Sequence, residues 1–144
     1  MSRTVRDILR SKGGQIFSID ADATVFEALE VLARENVGAL MVMKDDRLVG
    51  MLSERDYARK VILKGLSSPK TPVREIMTEA VCYARPEHTV EECMALITEK
   101  RCRHLPVFDG DQLVGLISIG DLVKASIAEK EFIINQLENY IKAG

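Results

Sequence analysis

The chain is poor in histidine and cysteine and has no long apolar run, and each scarcity removes a class of function. His88, His104, Cys82, Cys93 and Cys102 fall in no spacing that would gather four ligands around a zinc ion, so no metal is expected. The cysteines are odd in number and lack a Cys-x-x-Cys pair, which suits reduced thiols in a cytosol better than a disulfide framework. The longest nearly unbroken apolar run, Val37 to Met43, falls far short of the roughly 20 residues that span a bilayer. The opening stretch MSRTVRDILRSKGG alternates charge with apolar residues and has no hydrophobic region or cleavage site of a secretory signal, so a cytoplasmic protein is expected. A net charge of -2 gives no general attraction to nucleic acid or anionic membrane, and neither is expected as a partner.

Catalytic signatures are missing too. There is no Walker A motif and no Gly-x-Gly-x-x-Gly. Ser67-x-x-Lys70 falls in a linker without supporting motifs. A Gly-x-Ser-x-Gly elbow around Ser118 would need glycine at Leu116, and Gly115 lies one residue too early. No enzyme is expected. What is present is ordinary globular composition, 47% hydrophobic and 29% charged over 144 residues, enough for one compact domain or two small repeated ones.

The chain repeats itself. A shift of 65 residues lays 22–62 over 87–127 without a gap, and 12 of the 41 aligned positions are identical, among them Thr24/Thr89, Glu27/Glu92, Val42/Val107, Gly50/Gly115, Ser53/Ser118 and Asp56/Asp121. The lead-ins VRDIL (5–9) and VREIM (73–77) match at a shift of 68. Each copy reads as strand, helix, strand, strand, helix. Thr24-x-x-Glu27 and Thr89-x-x-Glu92 are capping boxes that open amphipathic helices. ALMVM with LVGML, and HLPVF with LVGLI, read as hairpins across the turns KDDR and DGDQ. Ser53 and Ser118 each open a further helix, and first strands are expected around 16–19 and 81–84. Between the copies, Thr71 reads as an N-cap with Pro72 at the first helical position. After the second copy, Ile127, Ile134 and Ile141 recur every seven residues with Leu137 between them, an apolar stripe that docks on its own domain or on a second copy.

The motifs LVGMLSERD and LVGLISIGD carry two readings. Serine at an N-cap with aspartate at the third helical position satisfies orphan N–H groups. The same helix start offers N–H donors and positive dipole to an anion, while a carboxylate one turn in can accept from the vicinal diol of a ribose. Arg55, Arg103 and His104 lie near these motifs; a solvated face for the arginines and a half-buried, hydrogen-bonded imidazole for His104 are the competing roles.

The duplication, the repeated Gly-h-h-Ser-x-x-Asp motif (h apolar) and RHLPV (103–107) together resemble a tandem pair of CBS domains, a Bateman module, over residues 3 to 127. The resemblance implies an α/β fold of two βαββα units, 3–66 and 67–127, packed sheet to sheet about a pseudo-twofold axis, followed by a helix over 128–144. It implies two clefts that take adenosine ligands: AMP, ADP, ATP or NAD(H). By that analogy Asp56 and Asp121 hold ribose hydroxyls, Ser53 and Ser118 bind phosphate, Arg103 and His104 assist at the second site and Arg55 at the first. Adenine would lie by Ala39 in one and by Val81 and Pro106 in the other. Because Gly38-Ala39 stands where the second copy has Arg103-His104, the two sites are expected to differ. The resemblance further implies a regulatory homodimer that passes a ligand-driven change to a separate protein.

Overall fold

A computed structural model describes residues 3–79 and 82–143. In chain order they form α1 (Val5–Lys12), β1 (Ser18–Asp20), α2 (Val25–Glu35), β2 (Ala39–Lys44), β3 (Arg47–Ser53), α3 (Glu54–Tyr57), α4 (Val90–Lys100), β4 (His104–Asp109), β5 (Gln112–Ser118) and α5 (Ile119–Ala143). A π-helical turn over Ala58–Ile62 prolongs α3, and a 3-10 turn covers Val73–Glu75. The result is a mixed α/β fold. Two compact units divide the chain, one of Ile16–Val81 and the other of Met1–Gln15 with Cys82–Gly144.

In the continuous unit, the Thr24 hydroxyl accepts from Glu27 N–H at 3.1 Å and starts α2, whose Val25, Ala28 and Leu32 are buried. Asn36 ends that helix in the left-handed conformation, φ 53°, which its short polar side chain tolerates. β2 lies at the middle of a three-stranded sheet, parallel to β1 and antiparallel to β3, and is buried from Ala39 to Val42. Its hairpin turns on Asp45 and Asp46, both at positive φ, which suits the right-handed twist of the flanking strands. Val73 and Ile76 join this core with Leu40, Val42 and Leu52, so the lead-in of the second repeat packs on the first. Its backbone is held as well: Val73 N–H donates to Ala23 O at 2.8 Å, and Met51 and Thr78 exchange bonds of 2.9 and 2.8 Å.

The discontinuous unit mirrors this arrangement. β4 and β5 form a hairpin, α4 opens on a complete Thr89/Glu92 capping box, and the lead-in helix α1 opens on a second box between Thr4 and Asp7. Val5 and Ile8 of α1 enter the core with Leu105, Val107, Ile117 and Leu122. Val5 N–H donates to His88 O and Arg6 N–H to Pro86 O, each at 2.9 Å. Each lead-in is therefore packed against the opposite repeat, and the compact units do not follow the division of the chain at residue 66.

Three further expectations change. Val73, not Pro72, begins the turn before the second repeat; Pro72 is extended at its N-cap and makes a bridge to Thr24, while the Thr71 hydroxyl donates to Ser67 O at 2.8 Å. The first strand expected around 81–84 reduces to a bridge from Ala84 to Val107, with Val81 outside the described residues. The helix expected over 128–144 is the far part of α5, which starts at Ile119 without a break, because no glycine or proline interrupts 121–143.

The two repeated glycines are where the lead-ins press closest. A Cβ on Gly50 would lie 2.8 Å from the backbone oxygen of Thr78, whereas one on Gly115 would meet the methyl ends of Leu9 at 2.6 and 3.2 Å. A leucine tip can rotate away; a hydrogen-bonded backbone cannot. Gly50→Ala is expected to destabilise by about 1–3 kcal/mol, and Gly115→Ala by less, as read from urea unfolding. Equal losses would overturn this account of the two contacts.

Candidate functional site

The repeated motif forms the same junction in both units. Where β3 ends, Ser53 N–H and its hydroxyl both donate to Asp56 Oδ2, at 3.0 and 3.1 Å, and Asp56 N–H returns a bond of 3.1 Å to Ser53 Oγ. Where β5 ends, Ser118 N–H donates to Asp121 Oδ2 at 2.9 Å and Asp121 N–H to Ser118 Oγ at 3.1 Å. The first helical N–H is taken too, by Gly38 O in one unit and by Arg103 O in the other. The capping reading of the serine and aspartate is thus observed directly, and it uses several of the donors that a helix start otherwise offers an anion.

The two carboxylates differ in what else reaches them. Asp56 is engaged at both oxygens, since Oδ1 accepts from Thr78 Oγ1 and pairs with Lys60, each at 3.2 Å. Asp121 receives Lys12, the last residue of α1, at 2.7 Å on the same Oδ2 that takes Ser118 N–H; the ammonium also donates to Leu116 O at 3.0 Å. Burial pushes the Asp121 carboxyl up, but the bonds from Lys12 and Ser118 outweigh it and hold it below the ordinary carboxylate value. Lys60 stands four residues after Asp56, a spacing legible on any helix. Lys12 and Thr78 are not legible in this way, because nothing in VRDIL or VREIM says which repeat each lead-in packs against.

The remaining candidates fall beside these junctions. His104 faces Ser118 across the β4–β5 register as Ala39 faces Ser53 across β2–β3. His104 is half-buried and partnered, Arg103 is exposed and lends its carbonyl to Ile119 N–H, and Pro106 is buried opposite Leu116. Arg55 is exposed and partnered, and Ala39 is buried. Where the first repeat has Gly38 in place of Arg103, an open groove of about 620 Å³ runs between the end of α2 and the start of α3, lined by residues that include Leu29, Val37, Gly38, Glu54 and Tyr57.

Comparison with known proteins decides the family: the CBS domain model matches twice, over residues 4–63 and 73–128. The chain belongs to the CBS-domain family. It is 39% identical over 152 residues to the CBS domain-containing protein CBSX3, mitochondrial, of Arabidopsis thaliana, covering 99% of this chain and 74% of that protein. The crystal structure of the CBS-domain protein NE2398 superposes with a TM-score of 0.82 at 50% identity, over 88% of this chain and 99% of that one. The hexameric CBS-CP12 protein from bloom-forming cyanobacteria gives 0.76 at 28% identity, over 85% and 67%. These likenesses make it a CBS-domain protein of the regulatory type, with the mixed fold of that family.

One feature of this CBS pair overturns the reading of its cysteines. Cys82 and Cys102 are joined as a disulfide, with Cα atoms 6.6 Å apart, in the unit that holds Arg103 and His104. Cys82 precedes the Ala84 bridge to Val107, and Cys102 stands two residues before β4, so the hairpin register itself brings the pair together. Sequence spacing misses it because the two cysteines stand 20 positions apart with the whole of α4 between them. Cys93 is the free thiol, buried in the core, and burial pushes it up to about 11.

Protein purified in air and denatured without reductant is therefore expected to titrate one thiol, and three after reduction. Closing a loop of this length contributes on the order of 3 kcal/mol by chain entropy, so reduction is expected to lower the unfolding free energy by about that amount. Three thiols in the unreduced protein would refute the pairing. A second expectation concerns Lys12. Because the folded Asp121 titrates below its unfolded value of 3.8, the stability it contributes is full above that pH and is lost as pH falls through the folded value. Lys12→Met is expected to be less stable than the parent chain by a constant margin from pH 7 to pH 5, and the margin is expected to shrink below pH 3.8. A margin that ignores acidification would mean that the lysine acts by packing alone.

Proposed function

We propose that this chain is a non-catalytic, cytoplasmic sensor that binds an adenosine nucleotide, AMP, ADP, ATP or NAD(H), and passes the change to a separate protein. The observation that carries the reading is the second junction. Lys12 and Ser118 N–H both bond the Asp121 carboxylate at Oδ2, and Oδ1 is the acceptor we assign to a ribose hydroxyl. Ser118, His104 and Arg103 cluster around it at the ends of paired strands, with two basic groups suited to a phosphate. Pro106 and Val81 are assigned to the adenine by family resemblance. No metal enters this reading.

The first junction supports a different role. Asp56 has partners on both oxygens, the Arg-His pair is replaced by Gly38-Ala39, and the groove beside α3 presents no basic side chain among its lining residues. A ligand held there by Ser53, Arg55, Asp56 and Ala39 has to displace Lys60 or Thr78, so this motif works first as a structural cap. That favours one strong nucleotide site in each chain and keeps a ligand-independent interaction role open for the first repeat. The hexameric CBS-CP12 neighbour supports self-association of the chain, here as a homodimer.

A thermal-shift panel on protein stripped of carried-over nucleotide tests the reading. A ligand at 100 times its dissociation constant stabilises by roughly 2.7 kcal/mol through mass action. Adenosine nucleotides are expected to raise the melting temperature, and the rise, taken from each variant's own ligand-free value, is expected to collapse in Asp121→Ala and largely to survive in Asp56→Ala. No shift with any adenosine compound sinks the proposal; a loss confined to Asp56→Ala reverses the assignment of the strong site.

A further inference from the structure

α5 runs for 25 residues, and from Glu131 to Lys142 every side chain is exposed. That overhang carries Ile134, Leu137 and Ile141 at 53%, 58% and 74% exposure, in line with Ile127 one turn-pair earlier. Its packed first half nucleates the helix, but the overhang itself is held by propensity alone, and a partner that covers the apolar stripe would stabilise it further. The stripe is therefore not buried on the unit to which α5 belongs. Between Glu129 and Lys142 the segment has three glutamates and two lysines, an acidic balance that opposes an anionic lipid surface.

We propose that the overhang pairs antiparallel with the same segment of a second copy. The stripe has heptad spacing, with Ile127, Ile134 and Ile141 at one core position and Lys130 and Leu137 at the other. A parallel pair would set each core position against itself and so place Lys130 on Lys130. An antiparallel pair about a twofold axis between Asn135 and Gln136 sets Ile134 against Leu137 and lays the Lys130 stem on Ile141. It also carries each Lys130 ammonium towards Glu138 of the other copy, and each Lys142 towards Glu129. Symmetry makes every one of these contacts twice, which turns a scattered charge pattern into a self-complementary one. The pairing is independent of nucleotide binding.

Sedimentation equilibrium of the full chain tests it, without added nucleotide. The parent chain is expected to be a dimer, and the double variant Ile134→Lys, Leu137→Lys a monomer with unchanged urea unfolding of its two units. Lys130→Glu and Glu138→Lys are each expected to weaken dimerisation about tenfold, and together to restore it. A monomeric parent chain, a dimer that survives Ile134→Lys with Leu137→Lys, or a charge reversal that fails to restore association overturns the proposal. So does co-sedimentation of the parent chain with phosphatidylserine vesicles that the double apolar variant abolishes.

Discussion

The reciprocal bonds between a serine at the end of a strand and an aspartate one helical turn later are the constraint on which much of this protein depends. At each junction two backbone N–H groups turn inward where neither strand nor helix can satisfy them, and leaving a buried donor unpaired costs about 1–3 kcal/mol. Ser53 with Asp56, and Ser118 with Asp121, close those bonds on each other. The carboxylate is then fixed in place before any further partner arrives. Lys60 and Thr78 in one unit, and Lys12 in the other, meet an acceptor already oriented, so the polar cluster is a by-product of ending the strand correctly.

Much of this was readable from residues alone, and the reason is local. A capping box at Thr89, a two-residue turn at Asp45-Asp46 and a short apolar run for a strand are settled within a few residues of chain, and the repeat supplied each signal twice. What could not be read is what depends on distant pairing. Val5 and Val73 occupy equivalent places in near-identical lead-ins, so their chemistry fits either core and the connections decide which one each enters. Cys82 and Cys102 are neighbours because of a bridge at Ala84 that stands in for a full strand. The Ser–Asp motif itself was legible as a cap or as a ligand group; that Thr78 reaches the first aspartate and Lys12 the second was invisible, since both come from those same lead-in segments.

The two halves of a duplicated chain have thus drifted in what surrounds a shared junction while keeping the junction. A pair of equivalent sites can only report total ligand. Both motifs cap a helix, but one carboxylate is further held by Lys60 and Thr78 and the other by Lys12.

The chain path has a consequence for synthesis. Ile16–Val81 is one uninterrupted stretch and can close on itself as soon as it leaves the ribosome, whereas α1 belongs to a unit whose remaining elements are all made afterwards. Until those elements emerge, Val5 and Ile8 have no core to enter, and α1 waits as an uncovered amphipathic segment. α1 is therefore made before the elements it packs on and can fold only after them.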